Sequence, residues 1–420
     1  MIQQSFIPRV IEQHAEEVAS LWLIRSRNVS APHFNLDRLT RLDYRIEAHL
    51  EGLLLAGDAA WRICEEALEI AGAGEVFAAS ILALECALED RQRRVFDAAT
   101  ASFDLSRGAI SAIGWLPFDQ VGYQIDRLAV ANEPAVRRLG IGGGAVHRRD
   151  PGQPLIDALG ADYPALRARA LRSAGELGRV DLAPALREHM ADEDENCRFY
   201  AAWSAALLAK DADAIVALKT ITESGSPYRE QALRMALRRM DLPAAHAWRG
   251  ELARRSDGIR SAVIGAGEIG DPESLPWLLE QMSVPTLSRA AGEAFTMITG
   301  VDLAASRLDG ETPAGFESGP NDDPEDEDVE MDPDEFLLWP KVDAVAEWLN
   351  SNLSSFQAGS RYLAGRPINP PWLQEVLRKG NQRQRAAAAL ELSAIQPGQP
   401  LFETRAPGFR QIQLLGERGL

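Results

Sequence analysis

An all-α fold, a right-handed α-solenoid of stacked helical hairpins, is what this sequence predicts, and three periodic features predict it. Arginine recurs at Arg107, Arg137, Arg167, Arg198, Arg229, Arg260 and Arg289, at intervals of 29 to 31 residues. That interval is the length of one helical hairpin, the unit from which α-solenoids are stacked. Small residues keep the same register: Ala174, Ala205, Ala236 and Gly267 form one series, and Ala170, Ala201 and Ala232 a second. They mark the places where helices must approach closely. Proline follows the arginine of its unit by 16 or 17 residues at Pro154, Pro184 and Pro276. It suits the first turn of a second helix, where its missing N–H is not needed.

Taken in chain order, residues 1–60 stand outside this register and predict an N-terminal helical cap. Val10, Ile11, His14, Val18, Leu21 and Trp22 share one helical face, and Leu39, Leu42, Ile46, His49, Leu50 and Leu53 another, with a loop at Pro32 between them. The exposed end of a solenoid needs such a cover. Residues 61–308 are expected to form the repeat array, degenerate over its first hairpin, where Ala78 and Ala79 hold the small-residue positions. Gly140-Ile-Gly-Gly-Gly144 falls on a first helix, and four glycines at about 1 kcal/mol each predict a weakened or bent one. Residues 309–335 carry 13 acidic side chains and no Lys or Arg, interleaved with Pro and Gly, which predicts an acidic disordered linker. In 336–420, Val342–Leu349 reads as a helix, and Trp372–Leu377 with Gln382–Leu392 reads as one more hairpin. Two short stretches, Arg361–Ile368 and Pro400–Arg405, read as extended and predict a small C-terminal β-hairpin-like cover in which the two pair with each other.

Composition narrows the function. The net charge is −18, and most of it belongs to the acidic stretch, which leaves the helical body mildly acidic. Nucleic-acid binding calls for a clustered basic surface and a pI above about 9, whereas the pI here is near 4.9. No run approaches the ~20 apolar residues of a membrane span, and the N-terminus lacks the pattern of a cleaved leader. A cytoplasmic protein without nucleic-acid or membrane partners is expected. Cys64, Cys86 and Cys197 are widely spaced and odd in number, and so are expected to be small buried hydrophobes rather than ligands or disulfide partners.

The unit Asp257-Gly-Ile-Arg-Ser-Ala-Val-Ile-Gly-Ala-Gly-Glu-Ile-Gly-Asp271 resembles the short HEAT-like repeat of the kind found in phycobilin lyases. Both ends of the chain are more specific. His14-Ala-Glu-Glu-Val-Ala-Ser-Leu-Trp-Leu-Ile-Arg25, Leu50-Glu-Gly-Leu53, Ala56-Gly57, Gln382-Arg-Gln-Arg-Ala-Ala-Ala-Ala-Leu-Glu-Leu392 and Leu401-Phe-Glu-Thr-Arg-Ala-Pro-Gly-Phe-Arg410 resemble a proteobacterial family of HEAT-repeat proteins encoded in type VI secretion gene clusters. The resemblance implies a scaffold or adaptor in cargo handling that binds an effector, an adaptor or a spike component on its concave surface. It carries over no catalytic residue. A lyase-like or protein-modifying role on a bound partner is the alternative, and it requires His189 and Glu188 to converge with other polar groups in one deep pocket.

The residues themselves point to no catalysis. Six histidines, at 14, 33, 49, 147, 189 and 246, show no i, i+3 or i, i+4 ligand pair. His14 and His49 lie on apolar faces and are expected to be hydrogen-bonded core histidines. The glycine run has neither the spacing nor the preceding strand of a dinucleotide loop. No metal, cofactor or catalytic residue is therefore assigned. The arginine ladder is read as structural, each arginine opening the first helix of its unit and pairing with nearby acids; Asp162, Asp194 and Asp257 precede Arg167, Arg198 and Arg260 by five, four and three residues.

Overall fold

Where the register places alanine or glycine, the residue is buried. Ala174, Ala205 and Ala236 are buried, as are Ala170, Ala201 and Ala232. A Cβ on Gly267 would lie 2.9 Å from Ala294 Cα. Within each unit the first helices of neighbouring hairpins therefore pack with their backbones close together. The computed structural model describes residues 7–70, 72–319 and 331–417, and among them all regular structure is helical except one two-stranded sheet. The chain divides into two compact units, the first made of 1–30, 34–217 and 393–420 and the second of 31–33 and 218–392.

The first unit opens with α1 (Pro8–Asn28) and α2 (Leu36–Ala56), followed by α3 (Asp58–Ala67), α4 (Ala73–Cys86) and α5 (Glu89–Thr100). Ile11, Val18, Leu21 and Trp22 of α1 are buried, as are Leu39, Leu42, Ile46, Leu50 and Leu53 of α2, whereas Val10 is exposed. Next come α6 (Phe103–Trp115), α7 (Phe118–Ala129), α8 (Pro134–Val146), α9 (Gln153–Leu159), α10 (Pro164–Glu176), α11 (Ala183–Glu188) and α12 (Glu195–Leu208). One layer is formed by α4, α6, α8, α10 and α12, each packed on the next, with α5, α7, α9 and α11 against it. The glycine run does not interrupt α8. Those glycines are buried, and a Cβ on Gly140 would come within 2.1 Å of Ala129 N. The helix-propensity cost is a local quantity, and close approach of a neighbouring backbone outweighs it here.

Helix α13 (Ala212–Glu223) crosses the division between the units. The second unit continues with α14 (Arg229–Arg239), α15 (Leu242–Ala253), α16 (Ile259–Ile269), α17 (Leu275–Gln281) and α18 (Pro285–Thr299), in which α14, α16 and α18 stack as a layer. Pro154, Pro184 and Pro276 stand in the first turns of α9, α11 and α17. After the acidic stretch come α19 (Val342–Asn352), the strands β1 (Tyr362–Leu363) and β2 (Arg366–Pro367), then α20 (Pro370–Lys379) and α21 (Gln382–Ile395).

The two strands make a tight hairpin with each other, Tyr362 opposite Pro367. This corrects the expected pairing of 361–368 with 400–405. Gly365, at φ +91°, makes the turn, and main-chain N–H groups of Tyr362, Ala364 and Gly365 donate to the carbonyls of Gly270, Met297 and Ile298 at the ends of α16 and α18. Residues 400–403 are extended, 404–405 turn, and all belong to the first unit, ahead of α22 (Gly408–Glu417) on α2. The central part of the expected acidic linker, 320–330, lies outside the described residues. Its flanks carry specific contacts: Gly310 N donates to Trp339 O and Lys341 N to Leu308 O, and Asp334 is buried.

Candidate interaction surface

Every ladder arginine lies within the first five residues of its helix, but the acids expected beside it are mostly not its partners. Arg167 grips Asp192 with two nitrogens, at 2.7 and 2.9 Å. Asp192 lies in the loop before α12 and not, as Asp162 does, just ahead of α10. Arg198 donates to the carbonyls of Asp192 and Glu193, because Asp194 is already the N-cap of α12 and accepts from Cys197 N. Arg229 donates to Asp257 O, so Asp257 serves the arginine of the preceding unit. Arg260 grips Asp334 at 2.6 and 2.7 Å, and Arg289 pairs with Asp332 at 2.7 Å while lying over the Trp339 ring. Arg107 pairs with Asp104 at the surface, and Arg137 is half-buried in α8. The bidentate hold of Arg167, with the Asp194 N–H and His189 adding to it, keeps the Asp192 carboxyl at about 2.

A second set of buried charges runs along the stacked layers. In the first unit Glu176 accepts from Arg172 at 2.7 Å and Arg169 at 2.5 Å. Burial opposes the Glu176 charge, and the guanidiniums of Arg169, Arg172 and Arg148 overcome that opposition and hold its carboxyl below the ordinary range. In the second unit Glu268 is held by Arg234 and Arg238, and Arg238 reaches on to Glu391 of α21 at 3.0 Å. Arg383 of α21 pairs with Glu293 of α18.

Within the first unit the ends of these layer helices are covered by the chain's own tail. The array contacts the tail mostly through main-chain groups. Leu401 N donates to Glu176 O at 2.9 Å, and Arg148 donates to Leu401 O at 2.5 Å and to the Glu403 carboxylate at 2.8 Å. Arg25, itself fixed by Asp43 at 2.5 Å, donates to the carbonyls of Arg405 and Ala406. Gly408 N donates to the other Asp43 oxygen at 2.6 Å. A Cβ on Gly178 would meet Gln399 O at 2.8 Å. Phe402, Thr404 and Ala406 are buried.

The backbone at Arg148 is the unusual part of this surface. It stands 30 residues before Gly178 and in the same role, one residue past the last helical turn, with φ +56° against +73°. Glycine tolerates that left-handed conformation, whereas a Cβ raises its energy by roughly 1 to 2 kcal/mol. The arginine side chain is what the first unit gains there.

Three further clusters stayed invisible to spacing rules. His14 and His49 face each other across α1 and α2, their Nδ1 atoms 2.9 Å apart; partial burial, with His14 next, pulls the His49 pKa down. His147 gives Nε2 to Ile113 O at 2.9 Å, and burial, with Arg410 next, lowers its pKa to about 4. His246, Asp271 and Glu273 bring their ligand atoms within 4.8 Å of one another, but Asp271 accepts from Glu273 N, Gly359 N and His246. Its carboxylate is a cap and a loop anchor. His189 pairs with Asp192 at 3.2 Å, Glu188 is exposed, and the open cleft of about 380 Å³ beside Arg148, Phe118 and Pro151 includes neither of them. Cys64 and Cys197 are buried, which pushes both thiols up to about 12, whereas Cys86 is exposed, against expectation.

Residues 152–238 match the HEAT repeats family. This stretch is built of HEAT repeats. It runs from the loop before α9 through most of α14 and contains the ladder positions Arg167, Arg198 and Arg229, where the small-residue register is also most regular. No curated protein matches the chain at a significant level. HEAT repeats are generally scaffolds for protein interaction.

Proposed function

We propose that this HEAT-repeat protein is a non-enzymatic scaffold or adaptor that binds another protein through its stacked layers. The observation that carries the reading is the first unit's hold on an extended polypeptide. Five main-chain groups, Leu401 N, Leu401 O, Arg405 O, Ala406 O and Gly408 N, are met by groups of the array. Main-chain recognition of that kind binds protein segments whatever most of their side chains are. The buried charges elsewhere are matched one against another, as in Arg169, Arg172 and Glu176, which suits a rigid frame.

A place beside type VI secretion, as carrier of an effector, adaptor or spike component in the cytoplasm, is the finer part of this reading, and it rests on the likeness of the two chain ends. Affinity capture of the tagged chain from its native host, with cross-links mapped by mass spectrometry, tests both parts. Cross-links from a secretion component to α6, α8 or α10 are the expected result. Recovery of the chain alone, with cross-links only within itself, would overturn the scaffold reading; a partner unrelated to secretion would overturn only the finer part.

A further inference from the structure

We propose that the tail-covered face of the first unit is a peptide-binding site in which residues 399–411 are a resident stand-in, and that an extended partner segment carrying an aromatic residue followed directly by a carboxylate takes their place. The inference rests on the scaffold reading and names its site.

Three observations converge on it. The tail is held as a ligand is held: a stretch, 400–407, extended over 400–403 and turning at 404–406, fixed by guanidiniums and a carbonyl of the array at its main chain. Side chains add to this hold: Thr404 and Gln411 are buried, Arg410 donates to the carbonyls of Trp115 and Leu116, and Phe409 packs on Trp115. Phe402 is buried and Glu403 pairs with Arg148, which makes the aromatic–carboxylate pair the readable part of the segment. The same two contacts define what a competitor must offer, since the site presents a guanidinium with a matched geometry to any carboxylate so placed.

The second observation is the backbone of Arg148. Among the αL positions that close layer helices, Gly178, Gly270 and Gly300 are glycine, whereas Ala87 and Arg148 are not, and of these two Arg148 faces the tail. Strain of this kind persists where the surroundings over-determine it and is concentrated at ligand clamps. Here it aims Nε and Nη2 at Leu401 O and Glu403.

The third is the connection. Residues 395–399, Ile-Gln-Pro-Gly-Gln, are exposed, and Gly398 has φ +85° with open space around its Cα. The tail is thus tethered by a solvent-exposed turn outside the helix layers, and it can leave the site, with α22 lifting off α2, without a layer helix having to unfold. Exchange of one extended segment for another then requires no rearrangement of the stacked helices. A tethered stand-in also sets a threshold, because an incoming segment competes against a high effective concentration of the tail.

The test uses the full chain and a fluorescein-labelled peptide with the sequence of residues 399–411, read by fluorescence anisotropy. Glu403→Gln weakens the resident tail and leaves the site intact, and should bind the peptide at least 10-fold more tightly than the wild-type chain. Adding Arg148→Ala should abolish that gain, and a peptide with Gln in place of its glutamate should bind the Glu403→Gln chain at least 10-fold more weakly. Equal binding by the wild-type chain and Glu403→Gln, or binding by neither while both remain folded by circular dichroism, would overturn the proposal and leave the tail a fixed cover. A Glu403→Gln chain that elutes as a dimer would put a second copy of the chain in the site and overturn the assignment to a partner. Should Glu403→Gln fail to fold, hydrogen exchange on the wild-type chain decides: the Leu401 and Gly408 amides must exchange at least 10-fold faster than the amides of α10, and equal protection would overturn the proposal. Failure here leaves the scaffold reading standing, because that reading is decided separately by the partner captured in the host.

Discussion

Arg148 sets two energies against each other, and substituting it separates them. With Arg148→Ala the Cβ stays in the left-handed conformation, and the charged hydrogen bonds to Leu401 O and Glu403 are lost. Hydrogen bonds to charged groups contribute about 1.5 to 3 kcal/mol each where water is excluded, and Arg148 and Glu403 keep only 15% and 13% side-chain exposure. Allowing for partial screening, the alanine variant should lose about 2 to 4 kcal/mol. Arg148→Gly loses the same contacts but relieves about 1 kcal/mol of backbone strain, so it should be the more stable of the two by about that amount. At roughly 2 to 4 °C per kcal/mol for a unit of about two hundred residues, the alanine variant should melt about 4 to 16 °C below wild type. Calorimetry, with hydrogen exchange read at Leu401 and Gly408, measures both effects. An alanine variant as stable as wild type, or a glycine variant no more stable than the alanine one, would refute the account of Arg148 as a strained clamp.

Replacing Ala205 or Ala236, both buried between layer helices, with leucine should destabilise the chain by about 1 to 3 kcal/mol through overpacking, read by urea denaturation; a neutral result would break the register. Asp334→Asn should lower stability by about 1 to 3 kcal/mol by weakening the bidentate hold on Arg260, read by urea denaturation. His147, held neutral with a pKa near 4 against 6.5 for the free side chain, adds stability that is fully present above pH 6.5 and is lost as pH falls from there toward 4, since only the unfolded chain takes up the proton in that window. Melting temperature followed between pH 7 and 4 should fall less steeply in a His147→Gln chain than in wild type; parallel slopes would exclude this histidine as a cause.

How much of this was legible follows from how local each signal is. The small-residue register is legible because a residue at a helix contact reports its own constraint, and Ala174, Ala205 and Ala236 are buried as that register predicts. The prolines that open α9, α11 and α17 are legible for the same reason. The partners of the arginines are not. Asp192 lies 25 residues beyond Arg167 and Asp334 lies 74 beyond Arg260, and no helical period connects either pair. His14 and His49, 35 apart, meet only because α1 and α2 are antiparallel neighbours, which an i, i+4 search cannot detect. The glycines of α8 misled in the other direction. Their propensity is a property of the isolated helix, and the deciding fact is the Ala129 backbone against Gly140. The tail escaped because an extended segment held by main-chain contacts leaves no periodic trace in its side chains.

The ladder also explains why a stretch so rich in acids returns to the array. Arg167 reaches the Asp192 carboxylate, and Arg229 the Asp257 carbonyl, in the loop that leads into the next layer helix, so these two first helices are stapled to the unit after them. At Arg260 the corresponding loop, Met282-Ser-Val-Pro285, has no carboxylate to offer, and at Arg289 no further repeat follows. Two buried or half-buried guanidiniums would be left without counter-charges, a costly arrangement away from water. Asp332 and Asp334 supply them, with Trp339 and Phe316 stacked on Arg289 in place of a following helix. A solenoid must end in something that satisfies the open face of its last unit. In the second unit that ending is a non-helical segment reproducing the acidic loop of a repeat that is not there. The same logic accounts for the position of its two acids: any carboxylates in the stretch could solvate the surface, but among the described residues those at 332 and 334 are the ones that meet the ladder.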